Sequence, residues 1–310
     1  MSPAGSPWAQ SPDAYPSKPV RFVVGFPPGG ANDILGRLVG AKLQERLGQT
    51  FVIENKPGAN AIIATEFVAK APPDGYTLLI GASGAMTFNP GLYDKLPYDP
   101  VKDFAPITMI GSFPLVLTVS PTLGVATVRE LVTLAKAKPG TFNYGAGSTP
   151  FQLAAELFKM QTGTDFKHVP YKGSAATVNA LLGDEIALTF VDSPPVVGQI
   201  KAGKLRGLAV TSPKRAAFMP DLPTVIEAGV PDFEVVLWTS LFAPAGTPPA
   251  IVRRLQGEIA KILQIPEIRE RMTAIGIDPI GGTPEELAAQ LRADLIRWTK
   301  VARTAGIKAN

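Results

Sequence analysis

Four short turns rich in glycine and hydroxyl residues are the places in this sequence where small-molecule chemistry is expected. Each follows a short apolar run and precedes a helical one, or opens the helix itself, which predicts a strand-to-helix junction. Ligands of open α/β sheets gather at such junctions. The turns are Gly25-Phe-Pro-Pro-Gly-Gly-Ala-Asn-Asp33, Gly81-Ala-Ser-Gly-Ala-Met-Thr87, Gly145-Ala-Gly-Ser-Thr-Pro150 and Asp192-Ser-Pro-Pro195.

The composition of these turns favours a small anion as the ligand. Backbone N–H groups and hydroxyls donate hydrogen bonds, and a helix N-terminus carries partial positive charge. The four turns contain neither Lys nor Arg. One such turn is as often a plain connection as a site, but four turns, two in each half of the expected fold, indicate a closing cleft.

Motifs of common enzymes are incomplete in this sequence. The first turn lacks the Gly-Lys-Ser/Thr ending of a phosphate-binding loop. Gly81-Ala-Ser-Gly-Ala85 differs from the nucleophile elbow of hydrolases in its fifth residue. The chain has one histidine, His168, expected at the surface or beside a hinge, and no cysteine. We therefore expect no catalysis, no cofactor and no metal; a serine-type hydrolase using Ser83 is the alternative.

Asp192 has two interpretations. It helps to start a helix at Pro194, with Ser193 as the cap, or it accepts a hydrogen bond from a donor group of the ligand. An acid beside a carboxylate ligand would repel a second bare carboxylate, so the second interpretation makes Asp192 a selector. Among the aromatic residues, Phe26 is expected in the cleft. Trp238 is either a core residue at the hinge or a cleft wall, and we favour the wall.

The elements that must position these turns alternate between strand and helix, as in an α/β protein. Strands are predicted near residues 20–26, 51–54, 77–80, 115–119, 142–144, 186–191, 208–210 and 237–243. Helices are predicted over 34–47, after Ala61, Thr127, Pro150, Ser174 and Pro195, and over 284–303. Capping boxes are predicted for Thr127 with Glu130, Thr224 with Glu227, and Thr283 with Glu286. Pro248 and Pro284 fit first helical positions.

The length of 310 residues suits two lobes. We expect lobe 1 from residues 16–116 plus 241–310, lobe 2 from 117–240, and two hinge strands near 115–119 and 240–243. Residues 1–15 are expected to be an unstructured tail or a cloning remnant. The charge of +4 without a dense basic run argues against a nucleic-acid partner, and we expect a monomer.

Ordered sequence motifs resemble one family, the solute receptors of tripartite tricarboxylate transporters, also called Bug-type receptors. The resemblance runs from Tyr15 to Ile307. It rests on Tyr15-Pro-Ser-Lys-Pro-Val-Arg21, Pro27-Pro-Gly-Gly, Glu54-Asn-Lys-Pro-Gly58, Pro73-Asp-Gly-Tyr-Thr-Leu-Leu79, Leu92-Tyr-Asp-Lys-Leu-Pro-Tyr-Asp-Pro100, Val169-Pro-Tyr-Lys-Gly173, Ile200-Lys-Ala-Gly-Lys-Leu-Arg206, Leu222-Pro-Thr-Val225 and Ala243-Pro-Ala-Gly-Thr-Pro-Pro249.

The resemblance implies a type II periplasmic binding-protein fold, capture of a small carboxylate and delivery to membrane permease subunits. It also implies a periplasmic location, although no export signal is visible in residues 1–14. In this family, loop amides, hydroxyls and ordered waters hold the carboxylate. The ligand-binding residues predicted here are Phe26, Pro28, Gly30, Ala31, Ser83, Ala85, Thr87, Ser148, Thr149, Tyr171, Ala175, Asp192 and Trp238.

The third turn departs from the family pattern. In relatives it is usually about two residues longer and often ends in a histidine, where this chain has Gln152. Phe151 is expected to reshape the pocket floor. This departure bears on the identity of the ligand, for which aliphatic di- or tricarboxylates and aromatic acids are both open, with a slight preference for a flat acid.

Overall fold

A computed structural model describes residues 15–304 and Gly306 of the chain. Its strands are β1 (Val20–Val24), β2 (Phe51–Asn55), β3 (Thr77–Ala82), β4 (Phe104–Val119), β5 (Asn143–Ala146), β6 (Lys167–Pro170), β7 (Leu188–Asp192), β8 (Arg206–Val210), β9 (Val236–Pro244) and β10 (Asp278–Gly281). Its α-helices are α1 (Ala31–Leu47), α2 (Ile62–Ala69), α3 (Asn89–Leu92), α4 (Val128–Ala137), α5 (Thr149–Thr162), α6 (Gly173–Leu182), α7 (Ser193–Lys201), α8 (Pro249–Ile262), α9 (Pro266–Ala274) and α10 (Pro284–Thr304). A π-helix covers Gly84–Phe88.

Two groups of strands share the long strand β4. The first sheet has the order β2-β1-β3-β9-β4, and β10 pairs with β4 beside it. In the second sheet β7, β5 and β6 follow one another, and β7 and β8 both pair with the end of β4. Strand β4 pairs with β9 from Phe104 to Pro114, and with β7 from Leu115 onward. The chain therefore passes from one sheet to the other at Pro114/Leu115, close to one predicted crossing.

The second crossing lies earlier in the chain than residues 240–243. Strand β9 already pairs with the first-sheet part of β4 at Val236. Before it, the Val235 N–H donates to the Thr211 carbonyl, and the Thr211 N–H donates to the Leu115 carbonyl. The lobe boundaries at 116/117 and 240/241 stay a prediction.

The predicted capping residues mark the starts of two helices, α4 and α10. The capping box of Thr283 and Glu286 is complete at α10, where each side chain accepts the other residue's N–H. At α4 the Thr127 hydroxyl accepts the Glu130 N–H, while the Glu130 carboxylate accepts the Ala126 N–H. The Thr224 pair also forms reciprocally, but it closes a turn and no helix follows. The prediction for Pro248 is off by one residue, since α8 begins at Pro249.

The last helix packs its predicted apolar face against the first sheet. Leu287 and Leu291 are buried with Trp238 and Phe242 in one cluster, and Leu295 is partly buried against it. Residues 1–14 of the expected tail lie outside the described residues. Tyr15 is buried, and its hydroxyl donates to the Gly75 carbonyl at 2.6 Å. Tyr15, which was assigned to the tail, therefore belongs to the packed fold.

Candidate functional site

The starts of four helices converge on one small cavity. Helices α1, α5, α6 and α7 follow β1, β5, β6 and β7, so their first turns lie at the carboxyl ends of strands from both sheets. The cavity has a volume of about 30 Å³, enough for a group of a few water-sized atoms. It is lined by Phe26, Pro27, Gly30, Asn32, Asp33, Ala82, Ser83, Gly84, Phe113, Gly147, Ser148, Pro150, Phe151, Gly173, Ser174, Asp192, Leu237 and Trp238.

A second, larger cavity of about 800 Å³ adjoins the first. The two share Phe26, Pro27, Gly147, Ser148 and Gly173 as walls. The larger cavity is further lined by Gly25, Pro57–Ala61, Ala146, Gln152, His168 and Pro170–Lys172. A molecule with its head in the small cavity therefore has room for a longer body beside it.

Direct hydrogen bonds join elements of the two sheets around the small cavity. The Ala31 N–H, at the start of α1, donates to Asp192 Oδ2 at 2.7 Å. The Thr149 hydroxyl donates to Asn89 Oδ1 at 3.0 Å. The Ser193 hydroxyl donates to the Gly276 carbonyl, just before β10, at 2.7 Å. These three contacts bridge elements of the first sheet and of the second sheet.

Asp192 does not serve the helix that it precedes. It occupies the N-cap position of α7 but makes no side-chain capping bond, and α7 begins at Ser193 rather than Pro194. Asp192 is 3% exposed, and its Oδ1 atom has no hydrogen-bond partner among the described residues. Burial raises the pKa of this carboxyl, against smaller lowering effects of the Ser174 hydroxyl and the Ala31 N–H. Asp192 therefore starts α7 by position, while its side chain bonds α1, and the predicted cap at Ser193 is not found.

Asp33 is the other acid of the small cavity, and its charge is balanced by Arg37, one turn further along α1. Its carboxylate accepts hydrogen bonds from Arg37, the Asn55 amide and the Gly29 N–H, and Arg37 lies 2.9 Å away as an ion pair. Asn55 also donates to the Phe26 carbonyl. The network therefore fixes the turn between β1 and α1, and it leaves Arg37 committed to Asp33.

We expect Asp33 to make the fold sensitive to acid. Burial raises the pKa of its carboxyl, but the hydrogen bonds from Arg37, Asn55 and Gly29 outweigh burial and lower it below 3.8. The unfolded chain therefore binds the proton more readily than the folded one, so this contribution is present above the unfolded pKa and is lost as pH falls through the folded pKa. Urea unfolding across that acid range should show a smaller loss of stability in Asp33→Asn than in the parent. An equal loss in both proteins would contradict this role.

Ser83 and Trp238 form one buried unit at the cavity wall. The Trp238 N–H donates to Ser83 Oγ at 3.2 Å, and the Trp238 indole N–H donates to Asp294 Oδ2 at 2.7 Å. Trp238 is 4% exposed and also lines the cavity. It is therefore both a core residue and part of the cavity wall. Ser83 Oγ is thus an acceptor for the backbone, with no base among the described residues bonded to it.

His168 and Ser83 line different cavities. It lies on β6, the last strand of the second sheet, and its half-buried ring stacks on Tyr144 with centroids 5.0 Å apart. It lines the larger cavity only, and burial lowers its pKa. His168 is therefore a partly exposed residue of an edge strand, and it does not lie on the strands that join the two sheets. In the described part of the chain, no histidine is hydrogen-bonded to Ser83, as a serine hydrolase would require.

The structure brings only part of the predicted set to the small cavity: Phe26, Gly30, Ser83, Ser148, Asp192 and Trp238. Tyr171 lines the larger cavity instead. The remaining residues lie outside both cavities. Ala31, Ala85, Thr87 and Thr149 are buried, with Thr87 bonded to the Ser83 carbonyl, whereas Pro28 is exposed and Ala175 half-buried.

Sequence reasoning named Tyr171 and Ala175 but missed the two residues between them that line the small cavity. Gly173 and Ser174, at the start of α6, line it, as do Phe113 and Leu237 on the strands between the sheets. The helix after Ser174 was predicted, and the Tyr171-Lys-Gly-Ser turn before it had the same glycine and hydroxyl composition as the other turns. That composition was the signal that could have found the fifth turn.

Residues 15–304 and Gly306 hold no group of three or more His, Asp or Glu side chains placed to bind a metal ion. Across the same residues, no helix is long and apolar enough to cross a membrane.

Comparison with known proteins gave close matches over most of the chain. Residues 35–307 match the family model described as "Tripartite tricarboxylate transporter family receptor". The chain is 36% identical to the protein BugT of Bordetella pertussis over 311 residues, which cover 99% of this chain and 95% of BugT.

Solved structures share the fold as well. "R. palustris Rpa4515 with adipate" is 40% identical with a TM-score of 0.93, and the match covers 95% of this chain and 99% of that one. MatC from Rhodopseudomonas palustris with bound malate is 30% identical with a TM-score of 0.87, covering 93% and 99%. These matches confirm the predicted two-lobed α/β binding-protein fold.

Proposed function

The chain belongs to the tripartite tricarboxylate transporter receptor family, and on that premise we propose that it captures a small organic carboxylate and delivers it to the permease subunits of a membrane transporter. In this proposal the protein works in the periplasm as a monomer. Binding and release need no chemical step.

One observation carries the proposal: four helix N-termini meet at a cavity whose only charged side chains, among the described residues lining it, are Asp33 and Asp192. Helix N-termini offer free N–H groups and partial positive charge, and both favour an anion. Because the wall contains no Lys or Arg, the larger negative charge of a phosphate would be poorly compensated there. A carboxylate carries a single charge and two acceptor atoms, which such a site can satisfy.

The two adjoining cavities suggest how the ligand lies. A cavity of about 30 Å³ suits one carboxylate group, and the neighbouring space of about 800 Å³ suits the rest of the molecule. The larger cavity offers Gln152, His168 and Lys172 to a second polar end. The relatives solved with adipate and malate favour an aliphatic dicarboxylate. An aromatic acid stays open because Phe26, Phe151 and Trp238 line the small cavity.

Closure of the two lobes is the expected motion on capture. We propose the lobes as residues 16–116 plus 241–310 and residues 117–240, joined by two strands. The hydrogen bonds from Ala31, Thr149 and Ser193 would then form when the lobes close and break when they open.

A thermal unfolding screen tests the ligand class. Adipate, malate and benzoate are compared with glucose, putrescine and adipamide, the uncharged diamide matched to adipate in length. We expect at least one carboxylate to stabilise the protein by about 2.7 kcal/mol at a hundred times its Kd, because a ligand of the folded state adds RT ln(1 + [L]/Kd). Adipamide should give no shift. Stabilisation by glucose or putrescine alone, with no response to any carboxylate, would overturn the proposal.

A further inference from the structure

Asp192 is a buried carboxylate in the cavity proposed to receive a carboxylate. Its Oδ2 accepts the Ala31 N–H, and its Oδ1 has no partner among the described residues. Resting on the proposed function, we propose that Asp192 and the ligand carboxylate share one proton, so that each captured carboxylate brings one proton from the solvent into the closed cleft. The receptor would then bind its ligand as a proton-coupled complex.

Among the described residues that line the small cavity with Asp192, there is no Lys or Arg. Helix α1 contributes Asp33, which is paired with Arg37. Strand β4 places Leu115 opposite Asp192. The cavity wall is neutral at Ser174 of α6 and at Leu237 and Trp238 of β9. Ser193, the first residue of α7, is neutral too. Lys172 and His168 line the larger cavity and not the small one.

Two carboxylates at hydrogen-bond distance in this setting cannot both stay ionised at low cost. Like charges that share a site raise the pKa of one partner strongly, and the effect grows as water is excluded. Burial already raises the pKa of Asp192 before any ligand arrives. A proton on Oδ1 turns the repulsion into a short charge-assisted O–H···O⁻ hydrogen bond. The proton comes from solvent, and no other bond forms or breaks.

The sign of the pH dependence follows from the two states. If the complex has the higher pKa, binding takes up a proton at any pH between the pKa of the free protein and that of the complex. Affinity should be greatest below this window, should fall by up to about tenfold per pH unit through it, and should level off above it. A pocket that simply holds a carboxylate on N–H groups would bind equally across the window.

Calorimetric titration with adipate and with malate tests the inference. Each titration is run from about pH 5.5 to about pH 8.5 in two buffers of different ionisation enthalpy, since the observed heat then reports the protons exchanged. We expect uptake approaching one proton in the parent and a clear reduction in Asp192→Asn, which keeps the shape and cannot accept the shared proton in the same way. Asp278→Asn, on β10 outside the cavity, should retain the parental uptake.

The outcomes separate the two proposals. Failure of both acids, and of the whole carboxylate panel, to bind would overturn the proposed function and this inference together. If the heat of binding is the same in both buffers and the affinity is constant across the pH range, the proton uptake is overturned and the proposed function stands. Equal uptake in the parent and Asp192→Asn would also overturn it, by assigning the proton to the ligand or to another group. If Asp192→Asn does not fold, a parent that takes up no proton at any pH still overturns the inference.

Discussion

Replacing Gly30 by leucine is expected to reduce carboxylate affinity by about tenfold to a hundredfold and to leave the fold intact. Gly30 precedes α1 with extended backbone angles, φ −89° and ψ 171°, which any residue adopts. A Cβ atom there would lie 3.2 Å from Ser174 Oγ and 3.5 Å from Asp192 Oδ2, on the opposite side of the cavity. A full leucine side chain therefore pushes the two sides apart. Overpacking costs about 1–3 kcal/mol, which corresponds to the stated loss of affinity.

A matched substitution distinguishes cleft closure from a general effect of leucine. Gly198 lies on α7, is exposed, and has no atom within 4 Å of a built Cβ. Gly198→Leu should bind carboxylates like the parent, and both variants should keep the parental melting temperature without ligand. Titration calorimetry measures the affinity. Parental affinity in Gly30→Leu would contradict a closed cleft as the binding state.

Replacing Trp238 by alanine is expected to cost the largest amount of stability of any change at the site. Trp238 is buried in one cluster with Phe242, Leu287 and Leu291, and its indole N–H bonds Asp294. Removing a buried indole typically costs about 3–5 kcal/mol through lost burial and the cavity left behind. Because the same ring lines the ligand cavity, affinity should fall as well. Urea unfolding and titration calorimetry measure the two effects.

Trp238→Phe separates the ring from its hydrogen bond. It keeps most of the packing but leaves Asp294, which is 7% exposed, with Gln290 as its remaining side-chain partner. An unsatisfied buried group costs about 1–3 kcal/mol. We therefore expect Trp238→Phe to lie between the parent and Trp238→Ala in stability. A phenylalanine variant as stable as the parent would show that the bond to Asp294 contributes nothing.

Local signals carried the fold prediction a long way. Capping pairs such as Thr283 with Glu286 bind atoms three residues apart, so the sequence alone contains both partners. The ordered motifs likewise sufficed for the family, and that prediction is confirmed. The early half of β4 and the short strand β10 were missed. These two segments pair with each other, with Asp278 opposite Ser112. The partners lie far apart in the chain, and no connecting turn indicates the pairing.

The site was harder to predict because its decisive contacts join distant residues. The four predicted turns do meet, but which atoms face the cavity depends on how the helices enter it. Thr87 looked like a donor and bonds the carbonyl of Ser83 instead. Asp192 looked like a possible cap and bonds Ala31, 161 positions away. Residue type indicated the anion chemistry, whereas only the packing of the two sheets reveals each side chain's partner.

A crystal structure of the protein with adipate or malate, whichever stabilises it more, tests the central claim most directly. We expect one carboxylate group of the ligand in the small cavity, within hydrogen-bond distance of N–H groups at the starts of the converging helices α1, α5 and α6. The rest of the molecule should extend past Phe26 and Pro27 into the larger cavity. A ligand bound outside both cavities would contradict the account. So would a ligand whose carboxylate is held by Lys172 while no part of it touches the small cavity.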